Sequence, residues 1–128
     1  MIPSDAEVAI RETINFYSKG MKTGDVESLK KSFHELAILC GYIEDEMIAA
    51  PIQGLYDWVE SNPVSEGYSC SVLSIEVTGR VATAKIRETD MHGDVIDHFH
   101  FLKAGDRWWI VSKIWDAEPS TRTTQCRH

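Results

Sequence analysis

The sequence predicts an α+β fold: three helices from the first half packed on an antiparallel β-sheet built by the second half. Three observations carry this. Apolar residues recur at helical intervals through the first half. Aromatic and β-branched residues dominate the later runs, above all Val95 to Trp115, which reads as a closing β-hairpin. Three short loops, Thr78-Gly79-Arg80-Val81, Met91-His92-Gly93-Asp94 and Ala104-Gly105-Asp106-Arg107, each fit a two-residue hairpin turn.

The first helix starts at Ser4, which has capping-box spacing to Glu7. Asp5 and Glu7 suit the positive end of its dipole. Ile10, Ile14, Tyr17 and Met21 form its buried stripe, and Gly20 and Gly24 bracket its end. Asp25 caps a second, shorter helix carrying Val26, Leu29 and Phe33. His34-Glu35-Leu36 leads into a short apolar segment, Ala37 to Cys40, followed by the acidic turn Gly41 to Glu46. Met47 to Ala50 reads as a brief strand. Pro51 suits the first turn of a third helix, Ile52 to Glu60, with Leu55, Trp58 and Val59 facing inward and Ser61-Asn62-Pro63 stopping it.

Four strands follow, and the three loops set their register, with side chains alternating between faces. One face carries Ser71, Leu73, Ile75 and Val77; Ala82, Ala84, Ile86 and Glu88; Asp97, Phe99, Phe101 and Lys103; and Trp108, Ile110, Ser112 and Ile114. It is mostly apolar, so the helices are expected to cover it. The other face sets Lys85, Arg87, His98, His100 and Lys113 beside Val72, Ile96, Leu102, Trp109, Val111 and Trp115. Two tryptophans and several aliphatics are too much apolar surface to leave wet. The expected cover is a second copy of the sheet in a two-fold homodimer.

At 128 residues the chain is expected to form one domain, with a loose polar tail over residues 118–128 that includes Ser120, Thr121, Thr123 and Thr124. A net charge of -7 argues against a nucleic-acid partner. No apolar run is long enough to span a membrane, and the first residues carry no basic and apolar pattern of a signal peptide. Cys40, Cys70 and Cys126 are an odd number without close spacing, which points to a reducing cytoplasm rather than a disulfide framework or a zinc knuckle. No phosphate loop or nucleophile signature is present, and no cofactor is expected.

Over nearly its whole length the chain resembles the nuclear transport factor 2-like superfamily, with its cystatin-like cone of three N-terminal helices packed on a curved sheet. Within it, the resemblance is closest to the putative lumazine-binding family. The residues that carry it are His34-Glu35-Leu36-Ala37, the Asp97 to Leu102 strand and Gly105 through Trp115. The resemblance implies a pocket between the helices and the curled sheet, and the family name implies a pterin-like ligand. The superfamily spans steroid isomerases, dehydratases, polyketide cyclases, transport adaptors and association domains, so the fold does not choose among functions.

Glu88 is expected opposite Asp97 on the inner face, with Ser71 on its other side. Two carboxylates so placed repel, and in a cavity one stays protonated, giving an acid and a base. The competing reading is a solvated strand end. His34 is a candidate to pair with Asp97 for proton transfer; its competing reading is a bond to a loop carbonyl. Tyr17, Trp58 and Phe99 complete the candidate ligand wall with His34, Ser71, Glu88 and Asp97; as plain core they need no ligand. His98 and His100 share a face, but neighbouring cations disfavour a metal, so no metal site is expected. His92 is expected in a turn, and Glu44-Asp45-Glu46 lacks calcium-loop spacing. The leading expectation is a homodimer that binds a small apolar or aromatic molecule. The alternatives are an isomerase, dehydratase or cyclase using Asp97 with His34 or Glu88, and a structural or adaptor dimerisation domain.

Overall fold

The computed structural model describes residues 4–62, 66–90 and 93–118. Helix α1 (Asp5–Thr23) starts where Ser4 accepts the Glu7 amide at 3.1 Å. It ends at Gly24, whose φ of 75° turns its amide back to the Gly20 carbonyl. Helix α2 (Val26–Ser32) is capped by Asp25, which accepts the amides of Glu27 and Ser28. Ile10, Ile14, Tyr17 and Leu29 are buried, and burying each large apolar side chain contributes about 1.5–3 kcal/mol.

The chain then enters a longer strand than expected. Strand β1 (Phe33–Ile43) takes in Phe33, the His34-Glu35-Leu36 step and the apolar segment. Glu44, at φ 55°, turns it back into β2 (Glu46–Pro51). Pro51 ends β2 opposite Ile38 instead of opening the third helix; an edge strand tolerates proline because its outer side has no partner to lose. Helix α3 (Gln53–Ser61) buries Leu55, Tyr56 and Val59, while Trp58 is 54% exposed. Tyr56 draws the buried stripe away from Trp58, which the sequence alone had placed inward. Asn62 follows the helix, and Pro63 lies outside the described residues.

Strands β3 (Ser69–Thr78), β4 (Val81–Asp90), β5 (Gly93–Ala104) and β6 (Arg107–Ala117) complete one sheet of order β2-β1-β6-β5-β4-β3. β1 runs parallel to β6, and the other pairs are antiparallel. The sheet curls around the helices without closing. On its inner face, Thr13 of α1 donates to the Trp108 carbonyl at 2.9 Å. No described helix is long and apolar enough to cross a membrane.

The Thr78–Val81 and Ala104–Arg107 turns pair as predicted. The middle one does not: Asp90 pairs with Gly93, so β4 and β5 are displaced by two residues. Met91 and His92 between them, and the tail from residue 119 with Cys126, lie outside the described residues. An even displacement leaves every side chain on its predicted face. Two β-bulges do not, because one inserted residue swaps the faces beyond it. The β3 bulge falls between Val72 and Ser74, and the β6 bulge falls at Val111. Val72, Lys113 and Trp115, expected on the outer face, therefore lie on the inner face, and Val72 and Trp115 pack against the core. Ser71 and Ile114, expected inside, lie outside, and both are exposed. Gly41 answers to the same rearrangement: a Cβ there would lie 2.2 Å from the Trp115 ring, so glycine is what lets β1 pass beneath the indole.

Candidate functional site

The β6 bulge turns Lys113 into the core opposite Phe99. Its Nζ lies 2.8 Å from Asp97 Oδ1, with the two side chains 8% and 0% exposed. The same ammonium stands 4.2 Å from the centre of the Trp115 ring, a cation–π contact. Asp97 is paired across the sheet with Ile86, and Glu88 is paired with Val95. The two carboxyls are therefore diagonal neighbours on the inner face rather than opposite each other, close enough for each to shift the other's ionisation. Tyr17 of α1 donates to Glu88 Oε2 at 2.7 Å, and Tyr68, just ahead of β3, donates to Oε1 at 2.5 Å. Burial and then the Glu88 charge push the nearby Cys70 thiol up to about 12.

Two buried carboxyls this close cannot readily both ionise, so one of them keeps a proton. Burial opposes ionisation of Glu88. The neighbouring Asp97 carboxyl, the Lys113 charge and the hydroxyls of Tyr68 and Tyr17 outweigh it and hold Glu88 below the usual carboxyl range. Burial pushes Asp97 well above that range; Lys113 pulls the other way, and the Glu88 charge adds to the rise. The proton therefore rests on Asp97. No donor among the described residues reaches Asp97 Oδ2, which a proton there leaves uncharged. Burial disfavours the Lys113 ammonium, but Asp97 and then Glu88 overcome it and raise its pKa. Burial, followed by the Glu88 charge, raises both tyrosines. The cluster is thus one ammonium, one carboxylate and one neutral acid, with no net charge.

Lys113 also forms part of the wall of an apolar cleft of about 310 Å³ between β1, β2, α3 and β6. Leu39, Ile48, Leu55, Trp58 and Trp115 line it, and among the described residues Lys113 is its one charged side chain. A wider cleft of about 540 Å³ holds His34, Tyr56 and Trp109, but none of the buried charges.

Of the candidate site residues, Tyr17, Glu88 and Asp97 converge. Phe99 is fully buried beside them, edge-to-face with Tyr17 at 5.0 Å, and acts as core packing. Trp58 stands on the apolar cleft. Ser71 is paired with Arg87 on the outer face because of the β3 bulge, away from Glu88. His34 does not pair with Asp97: its Nδ1 accepts the Leu36 amide at 3.0 Å and its ring meets Trp109. Arg87, Ile96, His98, His100, Leu102, Trp109 and Val111 keep to the outer face. There Arg87 forms a two-pronged pair with Glu118 at 3.0 Å, and His100 bonds Ser112 at 2.7 Å. Lys113, Trp115 and Tyr68 are the site residues that the sequence reading missed.

Residues 5–116 match the putative lumazine-binding family model. An NTF2-like protein of unknown function from Shewanella baltica is 28% identical, with a TM-score of 0.81 over 92% of this chain and 99% of that one. Another from Methylobacillus flagellatus, also 28% identical, reaches 0.84 over 91% and 95%. Aldolase FrzH from a Cladobotryum species is 28% identical over 92% of this chain and 96% of its own length.

The placement of the proton fixes opposite responses in the two carboxyls. Asp97 is raised on folding, so its contribution is most favourable below the unfolded value of about 3.9 and falls as pH climbs, by about 1.4 kcal/mol per unit, up to its folded pKa. Glu88 is lowered, so it stabilises above about 4.3, and that stabilisation is lost as pH falls through its folded pKa. Asp97→Asn, which fixes the neutral form and keeps a donor toward Glu88, is expected to be at least as stable as the parent near neutral pH, with its relative stability improving between acid and neutral pH. Glu88→Gln strands the Lys113 charge and is expected to cost about 3–5 kcal/mol. Urea denaturation across that pH range checks both; the reverse ranking would put the proton on Glu88.

Proposed function

The chain belongs to the putative lumazine-binding family, and from that premise we propose that it is a homodimeric protein binding a small, largely apolar molecule in the cleft beside Lys113. One observation carries the reading: an apolar cavity of about 310 Å³ whose wall holds a single charged group among the described residues. Ligand sites characteristically combine apolar walls with a few polar groups that fix orientation. The indoles of Trp58 and Trp115 offer flat contact, and the Lys113 ammonium offers a charge-assisted hydrogen bond to a ligand oxygen. A flat heterocycle bearing carbonyl groups, as the family name suggests, suits that pattern.

A second reading, an enzyme moving protons on a carbonyl compound, is favoured by the proton-sharing pair Asp97 and Glu88 bonded to the lysine of the same cleft. The relative bearing the name aldolase is in keeping with it. In this reading Asp97 and Glu88 exchange the proton, and His34 takes no part. The proposed homodimer uses the outer sheet face, where Leu102 is 40% and Ile114 42% exposed beside Ile96, Trp109 and Val111. The proposed location is the cytoplasm, in keeping with free thiols at Cys40 and Cys70.

The dye 1-anilinonaphthalene-8-sulfonate, an apolar ring system with one anionic group, serves as a probe of the cleft. Its fluorescence titration should saturate at one site per chain. Trp58→Ala, a change at an exposed position, should weaken it by about tenfold, the worth of one aromatic face. Equal affinity in the variant would place the dye elsewhere and remove the support for this cleft. For the dimer, sedimentation equilibrium should give twice the chain mass for the parent protein and the single-chain mass for Ile114→Glu. A parent that sediments as a monomer contradicts the homodimer.

A further inference from the structure

We infer that Lys113 is a covalent site for carbonyl compounds, its amine condensing with an aldehyde or ketone held in the apolar cleft to form a protonated imine. The inference rests on the reading of that cleft as a ligand site and adds the class of molecule and the bond it forms. Leu39, Ile48, Leu55, Trp58 and Trp115 carry no titratable group, so among the described residues Lys113 is the lining residue that carries an amine. Its neighbours hold the resting amine as an ammonium, so attack requires that the proton first move to an adjacent group.

The atoms and charges balance within the cluster. The ammonium and the carbonyl combine to give the iminium and one water; a C=N bond replaces the C=O bond, and the carbonyl oxygen leaves with two hydrogens from nitrogen. The positive charge is the same before and after. The iminium therefore keeps the hydrogen bond to Asp97 and the contact with the Trp115 ring that hold the ammonium. Between reactants and products the buried positive charge is neither gained nor lost, so no desolvation cost separates them.

The free amine needed for attack arises by two proton shifts, the first along the Lys113–Asp97 bond and the second between the neighbouring carboxyls. Lys113 passes a proton to Asp97 Oδ1 at 2.8 Å while the proton on Asp97 Oδ2 moves to Glu88. All three groups are then neutral, which a low-dielectric interior tolerates. Tyr17 and Tyr68 keep their bonds to Glu88 in either state, since both carboxyl oxygens still have a lone pair to accept. The same proton returns through Asp97 to the carbinolamine hydroxyl, which departs as water. Every titratable group facing Lys113 thus has a part: Asp97 from β5, Glu88 from β4, Tyr17 from α1 and Tyr68 from the approach to β3.

The test uses the whole purified chain with 2-naphthaldehyde and sodium cyanoborohydride, whose hydride reduces the iminium to a stable secondary amine. Adducts are counted by intact mass and placed by peptide mapping. Because the cleft holds the aldehyde beside it, Lys113, although buried, should label at least about tenfold faster than the exposed Lys30 and Lys103. Lys113→Arg should lose that adduct. Trp58→Ala, which does not depend on the buried charge, should slow labelling of Lys113 by about tenfold and leave the surface lysines unchanged. Adducts on surface lysines with Lys113 unmodified overturn the inference. If the aldehyde then still displaces the naphthalenesulfonate dye, the cleft stands as a ligand site without covalent chemistry. If the dye never binds, the ligand reading fails as well.

Discussion

The contact between Lys113 and Asp97, 2.8 Å long and closed to solvent, sets the terms for the rest of the core. An ammonium taken out of water costs several kcal/mol unless a counter-charge and further hydrogen bonds replace its hydration. Asp97 supplies the contact but not the charge, because burial and the neighbouring Glu88 keep it protonated. The counter-charge comes from Glu88, which Asp97, Tyr17 and Tyr68 hold ionised. Each member satisfies another, so removing one strands a charge or an oxygen in the interior. The cluster therefore ties α1, the approach to β3, and strands β4, β5 and β6 to one electrostatic balance.

The fold is arranged so that this polar chain touches an apolar cleft at one end. The bulge at Val111 is the device: without it Lys113 would face outward beside His98 and His100. The same turn of the backbone brings Trp115 over Gly41 and against the Lys113 ammonium, so the lysine is held by a carboxyl on one side and an indole on another. Helix α3 and the β1–β2 hairpin complete the cleft wall. Among the described residues its wall is apolar apart from Lys113, the pattern on which the proposed ligand site rests.

Much of this is written in local chemistry. Ser4 and Asp25 mark helix starts because their side-chain oxygens replace missing carbonyl acceptors, and both do so here. Glycines in two of the hairpin turns set those registers, and the two-residue displacement in the third left the faces intact, so Glu88 and Asp97 were found on the inner face although not opposite each other. The bulges were hidden, since one extra residue alters no composition and breaks no hydrophobic run. The trace they left was an outer face too apolar to be wet, with both Trp109 and Trp115 on it; moving Trp115 and Lys113 inward removes part of that excess. Tyr68 belongs to no periodic segment, so nothing in its surroundings marked it as a partner of Glu88. Likewise His34 was drawn toward Asp97 by the fold resemblance, while its position in β1 gives it the Leu36 amide.

The account depends most on one proton held between two buried carboxyls, and carbon-13 NMR of the Asp97 Cγ and Glu88 Cδ resonances reads it directly. Through a titration from acid to mildly alkaline pH, Asp97 should keep the shift of a protonated acid past neutrality while Glu88 keeps that of a carboxylate down to low pH. Two carbons that both change over the ordinary carboxyl range would mean that no proton is shared. The neutral cluster around Lys113 would then be wrong.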